Sequence, residues 1–288
     1  MILFGTPIAN EIASSLKQEV SLLSQTHRPP KLSVLLVGDN RASQIYIAMK
    51  QKNCSHVGIL SETIIFPATV SEKELLDAVN QLNNDTTVDG ILIQLPLPPS
   101  LDPQKILSSI SPKKDVDGFH PLNMGKLLLG HTDGFIPCTP LGIQKMLHYY
   151  DISTEGKYIV IVGRSNIVGK PLAALLMQKH PRANATVTLC HSMSRDLHGH
   201  TQRADILIAA CGISKFITES MVKEGAYVID VGIHHIQDTQ GNIQLTGDVD
   251  FENVQGKVAG ITPVPKGVGP MTVAMLLYNT IKSYKCNI

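Results

Sequence analysis

Neither sign of charge prevails in this sequence: 25 Lys and Arg stand against 24 Asp and Glu, a net charge of +1. Without a surplus, no long-range field draws the chain to nucleic acid or to an anionic membrane, and neither is expected as a partner. The five cysteines, Cys54, Cys138, Cys190, Cys211 and Cys286, are odd in number and widely spaced. No C-x-x-C pair suggests zinc or a dithiol couple, so a reducing cytoplasm fits best. No apolar run approaches the roughly 20 residues that cross a bilayer. The longest are strand-sized blocks such as Ile159 to Val162. The opening MILFGTPIANEIASSLK lacks the basic start and apolar core of a secretory signal, so export is not expected. Internal repeats and low-complexity tracts are also missing.

What is present is length and alternation. At 288 residues, two domains of ordinary size are the natural division. Residues 32 to 37, 63 to 66 and 90 to 93 are short apolar runs closed by glycine, proline or polar turns, with helical patterns between them. A second series follows at 158 to 162, 186 to 190, 205 to 209 and 226 to 231. Such alternation predicts parallel strands with helical crossovers, and hence two successive α/β units. Between them, residues 111 to 142 are dense in glycine and proline and read as a functional loop or domain joint. Gly269 to Tyr284 reads as a helix with Pro270 in its first turn.

In the second series the strand YIVIV runs into Gly163-Arg-Ser-Asn-Ile-Val-Gly169-Lys-Pro171 and then a helical LAALLM. A strand, a glycine turn and a helix start present backbone N–H groups and a positive helix end to a pyrophosphate. The spacing departs from G-x-G-x-x-G, so the loop on its own fits a dinucleotide site or an ordinary βα turn equally. Arg164 and Ser165 suit a 2′-phosphate, and the next strand ends in Cys190-His191-Ser192 with no carboxylate for a ribose, which favours NADP over NAD. The alternative for Arg164 is a solvated surface charge.

In the first series, Gly38 to Lys50 opens a helix on which Ser43, Tyr46 and Lys50 fall within about 60° of one another. Ala42, Ile45 and Met49 are expected to form the apolar stripe against the sheet, leaving Tyr46 and Lys50 to face a cleft. A partly desolvated lysine beside a tyrosine hydroxyl can act as a base, although spacing alone fits a solvated helix face at least as well. Gln94 ends the strand GILI, where parallel sheets place ligand-binding groups, and Asp117 lies beside a glycine in the joint. Each could instead be a cap or turn residue.

Together these segments resemble the bifunctional methylenetetrahydrofolate dehydrogenase/methenyltetrahydrofolate cyclohydrolase family. The resemblance rests on VGDNRASQIYIAMKQKNC, DGILIQLPLP, KDVDGFHPLNMGKL, PCTPLG, VGRSNIVGKPLAALL, VTLCHSMS, DVGI, GDVDF and ITPVPKGVGPMTVAMLL, in the family's order. It implies an α/β fold of two domains around a cleft, the second a Rossmann-like dinucleotide-binding domain. The domains would be 1–140, catalytic and folate-binding, with the helix of about 270–288 packing back on it, and 141–269, binding NADP. The resemblance further implies Lys50 as the principal catalytic residue, Tyr46 in support and Ser43 nearby. Gln94 would tune Lys50, and Asp117 would anchor the pterin ring. Leu95, Pro265, Lys266 and Gly269 would complete the folate wall. Gly163, Arg164, Ser165, Ser192, Ile233 and Thr272 would hold the dinucleotide. Its partners would be tetrahydrofolate derivatives, polyglutamylated forms included, and a second copy of itself, in one-carbon metabolism and purine biosynthesis.

One position departs from the family, which has two consecutive glycines where this chain has Lys266-Gly267. If that position requires positive φ, lysine costs stability there. The Lys266 amine could instead meet the anionic glutamate tail of the folate. His234 and His235, adjacent on an extended segment, point to opposite faces and lack a third ligand, so no metal is expected. Cys138 reads as a packed thiol rather than a nucleophile. Two competing readings are a dehydrogenase without hydrolysis and a folate- or nucleotide-binding protein that has lost catalysis; retention of Lys50, Tyr46, Gln94 and Asp117 argues against the latter.

Overall fold

The computed structural model describes residues 1–237 and 243–288. The chain divides into two compact units, a first made of Asn10–Cys138 with Val273–Ile288 and a second made of Met1–Ala9 with Thr139–Thr272. Met1–Ala9, expected with the first unit, thus belongs to the second. The cause is main-chain pairing: Ile2 bridges Ile261 in parallel, and the Leu3 N–H donates to the Ile261 carbonyl at 2.8 Å.

In chain order come α1 (Gly5–Leu23), β1 (Lys31–Val37), α2 (Arg41–Val57), β2 (Leu60–Phe66), α3 (Glu72–Asn84), β3 (Gly90–Ile93), α4 (Pro103–Ser109), α5 (Pro121–Leu129) and α6 (Cys138–Tyr149). The strands form a parallel sheet in the order β2-β1-β3. Leu32 to Val37 is buried throughout, as a central parallel strand covered on both faces must be. α3 starts with a reciprocal capping box between Ser71 and Glu74, and buries Leu75, Val79 and Leu82 at helical spacing. Within the stretch expected as a loop, α5 forms over nine residues. Its marks are local rather than periodic: a His120 cap, Pro121 in the first turn, and Gly130 in the left-handed conformation that ends it.

The apolar stripe expected on α2 is not the face that packs. Ile45 and Met49 are 61% and 43% exposed, and the side chain of Ala42 lies outside the described residues. Ser43, Ile47, Lys50 and Cys54 are buried instead, a row at i, i+4, i+7 and i+11. Ile47 and Cys54 supply the apolar contact, and the two polar members are carried in with them.

The second unit contains β4 (Tyr158–Val162), α7 (Gly169–Leu176), β5 (Thr186–Cys190), α8 (Leu197–Thr201), β6 (Ile206–Ala209), β7 (Tyr227–Asp230), β8 (His234–Gln237), β9 (Ile243–Thr246), α9 (Phe251–Val254) and β10 (Gly260–Ile261); α10 (Val268–Lys285) then runs on into the first unit's residues. Its parallel sheet has the order β10-β7-β6-β4-β5, and β8 and β9 form a separate antiparallel hairpin. The chain builds outward from β4 in one direction and then returns to β6 on the other side. This Rossmann-like order reverses between β4 and β6, the switch point outside which open α/β sheets bind ligands.

Within the first unit, α10 is held by its polar residues. Asn279 Nδ2 donates to the carbonyls of Val116 and Ile136 at 2.8 and 3.1 Å, and the Ser283 hydroxyl lies between those of Asp89 and Lys113. The Tyr284 hydroxyl donates to the Arg28 carbonyl, while Arg28 itself grips the Asp89 carboxylate with two bonds of 2.7 Å. Such a bidentate pair is among the stronger polar contacts available to a protein.

Candidate active site

The first unit gathers its polar residues at the carboxyl ends of β1 and β3. α2 follows β1 and carries Ser43, Tyr46 and Lys50; Gln94 and Leu95 follow β3 directly. Asp117 is delivered by the segment before it, because Asp115 bridges Ile91 in parallel and the Ile91 N–H donates to the Lys114 carbonyl.

Lys50 is 6% exposed, and its Nζ donates to Gln94 Oε1 at 3.0 Å. The other end of that amide is fixed, since Gln94 Nε2 donates to the Leu95 carbonyl at 2.7 Å. The carbonyl oxygen is therefore the end turned towards the amine. Nζ also lies 4.6 Å from the centre of the Tyr46 ring. Burial pushes Lys50 below the usual lysine range, against the opposing pull of Asp117. Burial lifts the half-buried Asp117 carboxyl above the usual carboxylate range, again against its partner Lys50. Tyr46 is raised as well, by burial first and Asp117 second. All three groups are pressed towards their uncharged forms. An amine so placed can take up a proton and give it back.

Two residues that sequence reasoning did not assign to this site frame it. The Cys138 thiol lies against Asp117, donates to the Val116 carbonyl at 3.4 Å, and is pushed far up by burial, which leaves it no nucleophile. Asn279 reaches the same carbonyl and Cys138 Sγ, so the strand end bearing Asp117 is held from α10. A polar residue inside an otherwise apolar helical pattern was the available signal for Asn279.

In the second unit, Gly163 has φ +130°, and a Cβ there would lie 2.0 Å from the Ala210 carbonyl oxygen. A Cβ at Gly169 would come equally close to the Gly163 oxygen. The turn after β4 is thus pressed between the end of β6 and the start of α7, an approach that only glycine allows. Ser165 Oγ accepts from the N–H groups of Val168 and Gly169 at 3.1 and 3.4 Å, and Arg164 is exposed. Ser192, also exposed, lies two residues beyond Cys190, whose carbonyl accepts the Gly163 N–H at 2.9 Å. Ile233 is 55% exposed, and a Cβ on Gly269 would touch it at 3.8 Å. Thr272 shares a 2.9 Å hydroxyl contact with Thr139. A tight glycine turn, a helix start and an exposed guanidinium fit a dinucleotide phosphate.

Pro265 and Lys266 are exposed. Lys266 has φ +83°, the conformation for which glycine is the natural residue, while its carbonyl accepts the N–H groups of Gly5 and Thr6 at 2.9 and 3.3 Å. Its backbone is pinned in a strained shape and its amine is left in solvent.

Known proteins are similar to this chain in sequence and fold. The model of the tetrahydrofolate dehydrogenase/cyclohydrolase catalytic domain matches residues 3–117, and that of the family's NAD(P)-binding domain matches residues 137–288. A Sulfurihydrogenibium protein named bifunctional protein FolD is 52% identical over 286 residues, 99% of this chain and 98% of its own. The crystal structure of bifunctional FolD methylenetetrahydrofolate dehydrogenase/cyclohydrolase from Campylobacter jejuni matches with a TM-score of 0.94 at 47% identity, covering 100% of this chain and 99% of that one. The Trypanosoma brucei methylenetetrahydrofolate dehydrogenase-cyclohydrolase, complexed with NADP and an inhibitor, matches at 0.93 and 35% identity over 99% of this chain and 97% of its own. With both domain models and full-length relatives in agreement, the chain belongs to the tetrahydrofolate dehydrogenase/cyclohydrolase family.

Proposed function

We propose that this protein oxidises 5,10-methylenetetrahydrofolate to the 5,10-methenyl form with NADP, then hydrolyses that product to 10-formyltetrahydrofolate, with Lys50 as the principal catalytic residue. The observation that carries the reading is the buried Lys50 amine on Gln94, beside Tyr46 and near Asp117, in a chain about half identical to bifunctional proteins over its whole length.

Bound NADP would supply an acceptor for the hydride that leaves the methylene carbon. For that step the chain's residues act by placement: Asp117 holds the pterin ring and Tyr46 lies against the folate. The resulting methenyl cation then takes up water. Neutral Lys50 removes one proton of that water, directly or through the Tyr46 hydroxyl, and the ammonium so formed can protonate the ring nitrogen as its bond to carbon breaks, while the remaining hydroxyl proton leaves to solvent as the formyl C=O forms. Gln94 accepts a hydrogen bond from either protonation state of the amine and so does not lock it charged, as a carboxylate in its place would.

NADP in preference to NAD is supported by the exposed Arg164, by the lack of a carboxylate at Cys190 to Ser192, and by the NADP-bound trypanosomal relative. The exposed Lys266 amine is offered to the anionic glutamate tail of longer folates. Cytoplasmic location and a homodimer belong to the same reading and rest on family resemblance.

The test is a spectroscopic assay with 5,10-methylenetetrahydrofolate and either NADP or NAD, following reduced cofactor and the methenyl species separately. Reduced NADP with only transient methenyl is expected. Lys50→Met should slow methenyl hydrolysis by about 100-fold or more, the scale of a lost general base. Steady accumulation of methenyl by the unaltered protein would leave a dehydrogenase alone, and no turnover in folded protein would leave a binding protein.

A further inference from the structure

Beyond the glycine turn, the second unit buries two carboxylates at the carboxyl end of its sheet. Asp248 is fully buried, and its Oδ2 accepts the N–H groups of Cys211 and Gly212 at 2.7 and 2.9 Å. Its Oδ1 lies 2.7 Å from His234 Nε2. With Oδ2 taken by two donors and Oδ1 unable to donate, the Nε2 position carries the proton. The Asp248 N–H is in turn held by Asp230 Oδ1 at 2.8 Å, an oxygen that also accepts the Gly232 N–H at 3.0 Å.

Room has been made for both groups. A Cβ on Gly232 would fall 2.3 Å from Asp248 Oδ1, and one on Gly247 would fall 1.8 Å from Asp230 Oδ2. Packing alone is served more cheaply by apolar side chains, since burying a carboxylate costs several kcal/mol before its bonds are counted. The three segments tied together are the ones after β6, after β7 and after β9. The first includes the neighbour of Ala210, against whose carbonyl the Gly163 turn rests. The second runs from Gly232 through the exposed Ile233 to His234.

We infer that Asp248 and His234 are a positioning pair for the dinucleotide: they fix the Cys211–Gly212 loop and the Ile233 segment on either side of the site, without touching the ligand. The inference rests on the reading of the second unit as an NADP site. Losing the pair should loosen dinucleotide binding and spare methenyl hydrolysis, whose proposed proton-transfer groups, Lys50, Tyr46 and Gln94, lie in the first unit and which needs no dinucleotide.

The experiment is a fluorescence titration of the full chain with NADPH, beside hydrolysis of methenyltetrahydrofolate supplied directly. His234→Ala should raise the Kd for NADPH about tenfold, the loss of one charge-assisted hydrogen bond. His234→Gln, whose amide can still donate to Asp248, should recover most of that loss. Hydrolysis should stay within about twofold in both, since no hydrogen bond of the first-unit site is touched. Unchanged NADPH binding in His234→Ala would overturn the inference, as would a parallel loss of hydrolysis, which would mark a general weakening of the fold. Failure of the unaltered protein to bind NADPH would remove the dinucleotide site itself, a result separate from either of these, and the inference with it.

Discussion

In the first unit, burial leaves Lys50 with the Gln94 amide as its hydrogen-bond partner and moves both it and Asp117 towards neutrality. In the second, Asp230 and Asp248 are buried at least as deeply, yet backbone N–H groups converge on both carboxylates. The same costly material is used in opposite ways. Burial presses on the proton equilibrium in both places; where donors are few the result is a reactive group, and where N–H groups converge they oppose the shift and the carboxylates clamp loops.

The sharpest way to break this comparison is the pH dependence of methenyl hydrolysis. On the proposed reading only neutral Lys50 accepts the proton, and its value lies below the usual lysine range. The rate should therefore climb with pH along a limb placed below that range, falling about tenfold per pH unit on its acid side. Lys50→Met should abolish the limb along with most of the rate. A limb that persists in that variant would assign it to another group.

Asp230 makes the complementary test, on stability. Burial lifts its carboxyl to about 6 from 3.8, although three backbone N–H groups pull the other way. The folded value is the higher, so the native state holds the extra proton between the two. This group's contribution is fully present below about pH 4 and is lost as pH rises through about 6, a change of up to about 3 kcal/mol at 1.36 kcal/mol per unit. Chemical denaturation across that window should show the falling component, and Asp230→Asn should flatten it. An identical slope in the variant would mean that the N–H groups hold the carboxylate charged after all.

The smallest effect is expected at Lys266. Glycine relieves a left-handed lysine of about 1 kcal/mol, partly offset by the greater freedom of glycine in the unfolded chain. Lys266→Gly should thus raise the melting temperature by about 1 to 2 °C. The same variant should bind polyglutamylated folate more weakly and monoglutamate unchanged. Equal affinity for both tails would remove the proposed role of the amine.

Seven of the eight strands in the two parallel sheets are legible in the sequence as short apolar runs, and β3, β4 and β5 have the expected bounds; β2 starts three residues earlier than its apolar run, and the two-residue β10 is too short to leave a pattern. The hairpin of β8 and β9 is not, since each strand has only four residues and β8, His234–Gln237, has a single apolar one. α5 was hidden by its brevity, its signals being caps rather than a period. On α2 the difference is of face: the stripe of Ile45 and Met49 stays exposed, whereas Ile47 and Cys54 pack and bring in Ser43 and Lys50, the amine of which meets Gln94 at the end of β3. That pairing is long-range and carries no local mark. Positive φ at Lys266, by contrast, could be anticipated from a glycine expected at that position.

The Asn279, Ser283 and Tyr284 bonds have a bearing on synthesis. These three side chains close the first unit, yet they follow the entire second unit in the order of translation. Domains usually fold as they emerge, amino-terminal first. Here the unit that takes up most of the first half of the chain must wait, with the carbonyls of Arg28, Asp89 and Val116 still lacking their α10 partners, until residue 284 has been made.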